Sequence, residues 1–578
     1  MKDLKKTKIV CTIGPTSNKR EVLREMILSG MDVARLNFSH GTHEDHKKVI
    51  DLIRDLCKET GRSIALLQDL CGPKIRVGNI SGGPVMLKSG EIFTFTGEEC
   101  EGSSTKAHIS YAYLSEEVNP GTKIFIDDGL LRLVVEKVDP PDVICRILIG
   151  GPLSSHKGVN FPGTELKIPA LTDKDKEDLL FGLEQNVDWV ALSFVQRPSD
   201  IVEIKEIIHK AGKSTPVIAK IEKGEALKQL NKIIDLTDGI MVARGDLSVE
   251  TPVERLPLEQ KNIIALCRKK GKPVITATQM MDSMIRNPRP TNAEVTDVAN
   301  AILDGTDAVM LSGETASGAY PLEAVKIMAL IASTTERALP YNKILTERAS
   351  EKGILDVVSR SACEIAEELK AVAIIVSTSS GRSARKISLY RPRSPVVALV
   401  EDEVIARQLK LSWGVFPMVI SSHTDTDKFI KEASEKAISS GVVKEEDLVV
   451  LSAGYPVGGT GSTNTLQVQI LGHIFLRGRG IGESRVAEGK LLLSIKPEDL
   501  HKPEKGNILA VKEFSSDLID KLSPLSGLVV ADENITPEDE VMLLNSGIPV
   551  LVGVPGVFTA FSTGDTVKID VGRGIIYK

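Results

Sequence analysis

The sequence predicts an α/β protein whose largest part is a TIM (β/α)8 barrel. Short apolar segments rich in Val and Ile alternate with amphipathic helical segments; the alternation stops near residue 71 and resumes after residue 167. Each apolar segment is typical of a buried strand, and the two stretches contribute three and five of them. Eight strand–helix units predict a closed barrel with its active site at the carboxyl ends of the strands.

We predict that the barrel comprises residues 1–71 and 167–342. Its first three strands are KIVCTIG, MDVARLNF and SIALLQDL, separated by helical segments such as EVLREMILSG. Its other five strands are DWVALSFV, PVIAKIE, GIMVARGDL, PVITATQ and AVMLSGE.

Residues 72–166 interrupt this alternation with a different pattern. EIFTFTG, TKIFIDDG, LRLVVEKV and VICRILIG alternate polar and apolar residues between Gly and Pro, which predicts a small β-barrel domain. Because the insertion follows the carboxyl end of a barrel strand, we expect it to cover the active site as a lid and to exclude water.

Two further α/β domains are predicted after the barrel. In residues 343–478, the helical segment LDVVSRSACEIAEELK precedes strands AVAIIVST, PVVALV, VFPMVI and DLVVLSAG. Residues 479–578 form an extra C-terminal module that begins with RGRGIGESRVAEG. A length of 578 residues is consistent with about four domains.

Composition excludes several classes of function. A formal net charge of −6 argues against a nucleic-acid-binding protein, which usually has a basic face. No segment approaches the roughly 18 consecutive apolar residues of a membrane helix, and the N-terminus has no secretory signal. Seven scattered cysteines without a CxxC pair predict neither a zinc site nor a disulfide framework. We therefore expect a cytoplasmic protein with no membrane or nucleic-acid partner.

Two strand ends carry the strongest chemical signal. Lys220 and Glu222 are two residues apart, so they share one face of a strand, and Asp246 follows the next strand. If these strands are parallel neighbours, two carboxylates meet beside an ammonium, an arrangement that suits Mg2+ and phosphoryl transfer. The alternative is a structural ion pair at a strand end.

Polar residues also end the other barrel strands. Alternation places Arg35, Asn37 and Ser39 on one side of the second strand, and Arg is suited to bidentate phosphate binding. The alternatives are ordinary ones: RLNFSHG is also typical of a capped loop, Thr278 of a β-forming residue, and Ser312 of a helix cap.

An ordered series of motifs is far more specific than an isolated Lys-x-Glu. In chain order these motifs are TKIVCTIGP, MDVARLNFSHGTH, GPKIR, IDDG, KGVNFPG, ALSFV, IAKIE, DGIMVARGDL, ITATQM, NPRPTNAEVTDVANA and DGTDAVMLSGETA. Over residues 7 to about 478 the chain resembles the pyruvate kinase family. The resemblance implies transfer of the phosphoryl group of phosphoenolpyruvate to ADP in glycolysis, through an enolate that Mg2+ or Mn2+ stabilises. It also implies a homotetramer and activation by a phosphorylated effector.

The resemblance also implies roles for individual residues. Glu222 and Asp246 would hold the metal ion. The catalytic and substrate-binding residues would be Arg35, Lys220, Gly245, Asp246, Thr278 and Ser312. The nucleotide contacts would be Arg76, Lys157, Asn37 and His40, with Asp127 and Asp128 nearby.

One departure from the commonest family pattern affects the expected K+ site. The family's K+ ligands correspond to Asn37, Ser39, Asp69 and the Leu70 carbonyl, but Lys74 stands where many members have Glu. We expect the Lys74 ammonium to lie close to Asp69 and to replace the mobile cation. Activity would then need Mg2+ but little or no K+.

The third domain contains a candidate effector site. Thr378, Ser379, Ser380, Arg382 and Ser383 join a strand to a helix, and hydroxyls with an Arg at a helix start suit a phosphate. A plain turn with a helix cap is the alternative. The resemblance favours a sugar-phosphate or nucleotide effector, with residues 458–465 as the facing loop.

The last hundred residues resemble the swivelling domain of phosphoenolpyruvate-utilising enzymes, which carries a phosphorylated His. No His follows His501 in this chain, so we expect no histidine relay here. Two alternative classes remain beside the pyruvate kinase family: a histidine-relay phosphotransferase, against which the missing His argues, and a non-catalytic sensor of phosphorylated metabolites. Formation of pyruvate from phosphoenolpyruvate and ADP separates the three.

Overall fold

The structure is a computed structural model, and it describes residues 4–347, 353–422, 426–454, 463–471, 475–494 and 504–578. The first half-barrel alternates strands β1 (Lys8–Thr12), β2 (Val33–Asn37) and β3 (Ala65–Asp69) with helices α1 (Arg20–Ser29) and α2 (His43–Thr60). A Thr42–Asp45 capping box starts α2, and Gly61 ends it with a φ of 65° that favours glycine.

The inserted domain follows β3. Its strands are β4 (Val85–Leu87), β5 (Ile92–Thr96), β6 (Lys106–His108), β7 (Lys123–Ile126), β8 (Leu131–Asp139), β9 (Asp142–Ile149), β10 (Gly151–Leu153) and β11 (Val159–Asn160), with one helix, α3 (Leu114–Glu117). Six of them form one sheet in the order β11-β7-β8-β9-β5-β6, and β10 pairs with β4. Apolar residues that alternate along these strands, such as Phe93 and Phe95, form a separate core.

The second part of the barrel supplies the other five strands and most of the helices. The strands are β12 (Trp189–Leu192), β13 (Val217–Ile221), β14 (Gly239–Ala243), β15 (Val274–Ala277) and β16 (Ala308–Leu311). The helices are α4 (Asp173–Glu184), α5 (Pro198–Lys210), α6 (Gly224–Lys228), α7 (Leu230–Leu236), α8 (Arg244–Glu250), α9 (Leu256–Lys270), α10 (Asn292–Asp304), α11 (Gly313–Ala316) and α12 (Pro321–Arg337).

These strands close the barrel that the sequence predicts. All eight are parallel, in the order β1-β16-β15-β14-β13-β12-β3-β2. Every residue of β13 and β14 is buried, because a parallel barrel covers both faces of each strand. Side chains such as Val10, Ala65 and Ile275 fill the barrel interior, so it is a packed core.

A five-stranded sheet follows the barrel. Its strands are β17 (Ala373–Ser377), β18 (Val396–Val400), β19 (Val415–Val419), β20 (Leu448–Ala453) and β21 (Thr465–Ile470), in the order β19-β18-β17-β20-β21. Its helices are α13 (Tyr341–Glu347), α14 (Ile354–Glu368), α15 (Arg382–Leu389), α16 (Glu403–Gln408) and α17 (Thr426–Ser439).

The last strands form an eight-stranded mixed sheet. They are β22 (Phe475–Arg477), β23 (Arg479–Ile481), β24 (Val486–Ser494), β25 (Ile508–Val511), β26 (Gly527–Val530), β27 (Val550–Val552), β28 (Thr566–Asp570) and β29 (Ile575–Tyr577), with helices α18 (Ile519–Leu522), α19 (Pro537–Asn545) and α20 (Val557–Ala560). Strands β24 to β27 are parallel neighbours in chain order. The predicted fold class, a barrel with an inserted β domain and two α/β domains, is confirmed.

The chain divides into two compact units. One contains Met1–Ala433 and Val450–Gln467, and the other contains Ser434–Val449 and Val468–Lys578. In the part of the chain that the structure describes, we find no helix with the length and apolar character needed to cross a membrane.

Candidate functional site

Parallel register brings the two carboxylates of the sequence prediction to one edge of the barrel. Strands β13 and β14 are neighbours, with Lys220 beside Met241. Glu222 therefore follows the end of β13, and Asp246 lies in the first turn of α8, which begins directly after β14. The negative charge of Asp246 acts on Glu222 and raises the pKa of that carboxyl.

Lys220 is at the centre of a buried ionic network. Its Nζ lies 3.0 Å from Glu222 Oε1 and 3.2 Å from Asp69 Oδ1, and it donates to Ser193 Oγ at 2.7 Å. Burial works to lower the pKa of Lys220, but the charges of Asp69 and Glu222 outweigh it and raise that pKa. The ammonium is therefore held charged between two carboxylates.

Arg35 joins the same network from β2. Its Nε donates to Asp69 Oδ2 at 2.6 Å, and its Nη1 donates to Thr12 Oγ1 at 2.9 Å. Burial works to raise the pKa of Asp69, but Lys220 and Arg35 lower it overall. One carboxylate thus positions both cations.

The electrostatics around Glu222 match a divalent cation. Its Oε2 accepts a hydrogen bond from the Phe194 amide at 2.7 Å, and its side chain is buried. Burial raises the pKa of Glu222, and repulsion from Asp246 raises it further against the lowering effect of Lys220. A divalent cation held by Glu222 and Asp246 would relieve both effects. Among the described residues we find no cluster of three or more His, Cys, Asp or Glu suited to a metal.

The structure pairs Lys74 with Asp246, not with Asp69 as expected. Lys74 Nζ lies 3.0 Å from Asp246 Oδ1. Asp69 already contacts Lys220 and Arg35, so its charge is balanced from within the barrel. The reason is geometric: Lys74 lies beyond β3, at the start of the inserted domain, and reaches across to α8.

The other expected K+ ligands lie at the ends of β2 and β3. Asn37 Oδ1 accepts a hydrogen bond from the Ser39 amide at 3.2 Å, and the Leu70 carbonyl accepts one from Ser193 Oγ at 2.7 Å. An amide or carbonyl oxygen has two lone pairs, so each of these keeps capacity for one further partner.

Thr278 and Gly245 are in direct contact. Thr278 Oγ1 accepts a hydrogen bond from the Gly245 amide at 2.8 Å. Thr278 has a φ of 64°, which is strained for a β-branched residue and typical of functional sites. Ser312 follows β16, and among the described residues its buried Oγ has no hydrogen-bond partner.

The expected nucleotide contacts lie mainly in the inserted domain. Lys157 Nζ is 2.9 Å from Asp127 Oδ1, and Arg76 Nη1 donates to the His156 carbonyl at 3.0 Å. Asp127 and Asp128 both have a φ of 54°. His40 lies in the loop after β2, where its carbonyl contacts the ring of His46.

The expected effector residues separate into two groups. Thr378 and Ser383 are buried, and Ser383 Oγ lies 2.5 Å from Thr463 Oγ1. Arg382 instead lines a cavity beside the barrel. Ser379 and Ser380 form the exposed turn before α15, and most of the facing loop 458–465 lies outside the described residues.

Two residues of the site were missed by the sequence reasoning. Ser193 contacts both Lys220 and the Leu70 carbonyl. Arg244 donates to the Thr278 carbonyl at 2.7 Å and pairs with Asp297 at 2.7 Å. Their positions directly after β12 and β14 were the available signal, because barrel sites are built from strand ends.

Barrel strands that end in paired carboxylates beside Lys and Arg are typical of βα-barrel enzymes that act on phosphorylated substrates. Three family models match the chain: "Pyruvate kinase, barrel domain" over residues 4–325, "Pyruvate kinase, alpha/beta domain" over 356–469 and "PEP-utilising enzyme, mobile domain" over 503–574. The chain belongs to the pyruvate kinase family. It is therefore a glycolytic transferase acting on phosphoenolpyruvate and ADP, and enzymes of this family generally need a divalent metal.

Named relatives support this assignment over the full length. Pyruvate kinase 2 of Synechocystis sp. is 46% identical over 577 residues, covering 99% of this chain and 97% of its own. Pyruvate kinase of Geobacillus stearothermophilus is 44% identical over 581 residues, covering 99% of both chains. A crystal structure of a pyruvate kinase from Cryptosporidium parvum superposes with a TM-score of 0.77 and 37% identity, covering 81% of this chain and 96% of that one.

Proposed function

We propose that the strand-end site transfers the phosphoryl group and that the network around Lys220 carries the catalysis. Lys220 contacts Asp69, Glu222 and Ser193 within 3.2 Å, and its side chain is only 11% exposed. Phosphoryl transfer depends mainly on positioning and on charge held in a site that excludes water. This buried network is the observation on which the proposal rests.

Arg35 and Lys220 are the proposed contacts of the transferred phosphoryl group. Asp69 holds both cations, so neither has to be ordered when substrate binds. A guanidinium matches phosphate oxygens in two parallel hydrogen bonds, and an ammonium adds a compact charge. Arg35 would thus orient the phosphoryl group through paired hydrogen bonds, and Lys220 would stabilise its negative charge.

Glu222 and Asp246 are the proposed ligands of the divalent ion, Mg2+ or Mn2+. The raised pKa of Glu222, caused by burial and then by Asp246, marks a place where added positive charge is stabilising. When bound, such an ion supplies positive charge beside the oxygens of the reacting substrate. Lys74, paired with Asp246, supplies a second, fixed positive charge on the same side.

Thr278 and Ser312 are the proposed groups for moving a proton to the substrate's methylene carbon. Thr278 Oγ1 donates to the Ala277 carbonyl at 2.7 Å and accepts from the Gly245 amide. The Gly245 and Asp246 amides, at the start of α8, are proposed to receive the substrate carboxylate. On substrate binding, the Gly245 amide would then donate to the substrate carboxylate instead of to Thr278 Oγ1. This exchange would link substrate binding to the proposed proton transfer.

Nucleotide binding is proposed for Arg76, Lys157, Asn37 and His40, with the inserted domain, residues 72–166, as the lid. Lys157 already holds a carboxylate, Asp127, so it is free to exchange that partner for a phosphate. Both cations belong to the inserted domain, so nucleotide binding would hold the lid over the barrel, residues 1–71 and 167–342.

The remaining proposals concern ions and regulation. The Lys74 ammonium, fixed on Asp246, is proposed to replace K+ in balancing the site, leaving Asn37, Ser39, Asp69 and Leu70 without a required cation. Thr378, Ser379, Ser380, Arg382 and Ser383 of the α/β domain, residues 343–478, are proposed as an effector cradle, with Arg382 at its edge beside the barrel. A cytoplasmic homotetramer and a structural or regulatory role for residues 479–578 complete the proposal.

A stoichiometric assay tests the proposed reaction. The purified chain with phosphoenolpyruvate, ADP and Mg2+ should form equal amounts of pyruvate and ATP, and omission of ADP or of the metal should stop both. Pyruvate formation that continues at the same rate without ADP contradicts the proposal.

A further inference from the structure

A cavity of about 610 Å3 lies within the first compact unit, at the amino ends of four barrel strands. One wall is formed by Trp189, Pro216, Asp238 and Pro273, which begin or directly precede β12, β13, β14 and β15. The opposite wall is formed by the first turns of α14 and α15. The same four strands carry the candidate active site at their other ends.

Among the residues that the structure describes, the cavity contains more cations than its own carboxylates balance. Two of its lysines are paired: Lys270 with Asp235 at 2.6 Å, and Lys386 with Asp356 at 3.1 Å. Its remaining acid, Asp238, is held by Lys205 from outside at 2.8 Å.

Three cations of the cavity lack such a partner. They are Lys272, Arg382 and Arg385, and no carboxylate in the described part of the chain lies within 4.0 Å of them. Lys272 donates only to the Thr237 carbonyl, at 2.6 Å. Among the described residues, three cations without a carboxylate partner therefore line one partly open cavity.

Arg385 shows this imbalance most directly. Its Nη1 donates to the Ser380 carbonyl at 3.3 Å, but its buried Nε has no hydrogen-bond partner among the described residues. Burial lowers the pKa of the guanidinium, and only the more distant Asp238 opposes this. A buried donor and charge without a partner are costly unless a ligand supplies one.

We propose that this cavity binds a small molecule that carries a phosphate group, with Arg382 and Arg385 as its main contacts and Lys272 as a third cation. Guanidinium groups match phosphate oxygens in geometry, and three positive charges suit a dianion better than a single carboxylate. The volume falls within the usual range of ligand pockets, about 300–1,000 Å3. Trp189 and the two prolines offer an apolar surface to the rest of the molecule.

This site is separate from the proposed effector cradle. Ser383 faces Thr463 from inside the α/β domain, whereas Arg382, the preceding residue, is exposed and lines the cavity at the barrel. Successive residues of a helix point in directions about 100° apart, so the first turn of α15 contributes one side chain to the effector cradle and the preceding one to the cavity.

Tryptophan fluorescence tests the proposal without depending on catalysis. Trp189 and Trp413 are the two tryptophans of the chain, so Trp413→Phe leaves Trp189, in the cavity wall, as the reporter. Inorganic phosphate and pyrophosphate, titrated at constant ionic strength, should change its emission saturably. Arg385→Gln and Arg382→Gln should each weaken this response by roughly tenfold or more, since each removes charge-assisted hydrogen bonds.

Two matched variants complete the experiment. Arg360→Gln removes an exposed arginine of α14 that pairs with Glu364 outside the cavity, and it should leave the titration unchanged. Ser383→Ala should also leave it unchanged; loss of the response there would assign the anion to the effector cradle and overturn the proposal. An absent response, or one that Arg382→Gln and Arg385→Gln both retain, overturns it too. Arg382 is exposed, so its variant is expected to fold, and circular dichroism checks this.

Discussion

The two ends of strands β12 to β15 differ in how their charges are balanced. At the carboxyl ends, Lys220 of β13 contacts a carboxylate at 3.0 Å, and its neighbours at the same edge of the barrel, Arg35 of β2 and Lys74 beyond β3, each contact one within 3.0 Å. At the amino ends, Arg382 and Arg385 contact none in the described residues. The two ends of the barrel therefore differ: the carboxyl ends carry a network of paired charges, which we propose as the catalytic site, and the amino ends carry cations that lack a described carboxylate, which we propose as an anion site.

The largest effect is expected at the balanced end. Lys220→Met removes the cation that both Asp69 and Glu222 hold, and we expect kcat to fall by ~10²–10³ with KM for phosphoenolpyruvate changed little. Steady-state kinetics on the folded variant measure this. A variant that keeps near-normal kcat would remove Lys220 from the catalytic network.

The metal dependence of Glu222→Gln and Asp246→Asn is the next test. Each removes one of two anionic groups, and we expect the Mg2+ concentration for half-activity to rise by at least about tenfold. Activity titrations with Mg2+ at saturating substrate give this value. Asp200→Asn, a carboxylate that only caps α5, is the control, and unchanged curves for both test variants would place the metal elsewhere.

Lys74→Glu tests whether the fixed ammonium replaces K+. The wild-type enzyme should be active in tetramethylammonium buffer and gain little from K+, because Lys74 supplies positive charge at Asp246. The variant changes local charge by two units and should acquire a several-fold stimulation by K+. Strong K+ stimulation of the wild type would show instead that Asn37, Ser39 and Asp69 form a working K+ site.

The smallest effect concerns another buried cation at the amino ends. Lys8 is 1% exposed and donates to the Val415 carbonyl at 2.7 Å, and burial lowers its pKa to about 7. Between pH 7 and the ordinary pKa of lysine the unfolded chain binds more protons, so this residue makes stability rise with pH. The slope is at most about 1.4 kcal/mol per pH unit.

Lys8→Met removes this slope. Its stability advantage over the wild type should be greatest at or below pH 7 and should shrink towards pH 10, as thermal unfolding midpoints at each pH would show. Lys58→Met, at an exposed position of α2, should show no such trend. An advantage that does not change with pH would mean that Lys8 keeps its proton throughout this range.

Sequence patterns that extend over a few residues were enough to predict the barrel strands and part of the candidate site. Eight Val- and Ile-rich segments predicted eight strands, and the closed order of the barrel confirms them. The Lys220–Glu222 spacing and the position of Asp246 after the next strand predicted their meeting, because side-chain alternation and parallel order are local rules. The roles of these residues stay predictions.

The partner of each charge, by contrast, depended on distant parts of the chain. Lys74 was expected near Asp69 and pairs with Asp246, 172 residues away, because α8 lies within its reach. Arg382 was expected beside Ser383 and lines a cavity at the barrel, because α15 packs with its first turn towards β12 to β15.

The sequence by itself determined the βα-barrel architecture, the inserted domain and the family, since these follow from periodicity and ordered motifs. Only the tertiary structure decided which carboxylate each cation contacts, that Ser193 joins the Lys220 network, and that Arg385 contacts no carboxylate among the described residues. The physical reason is range: strand and helix patterns arise from neighbours a few residues apart, whereas charge pairing and cavities arise where segments far apart in the chain pack together.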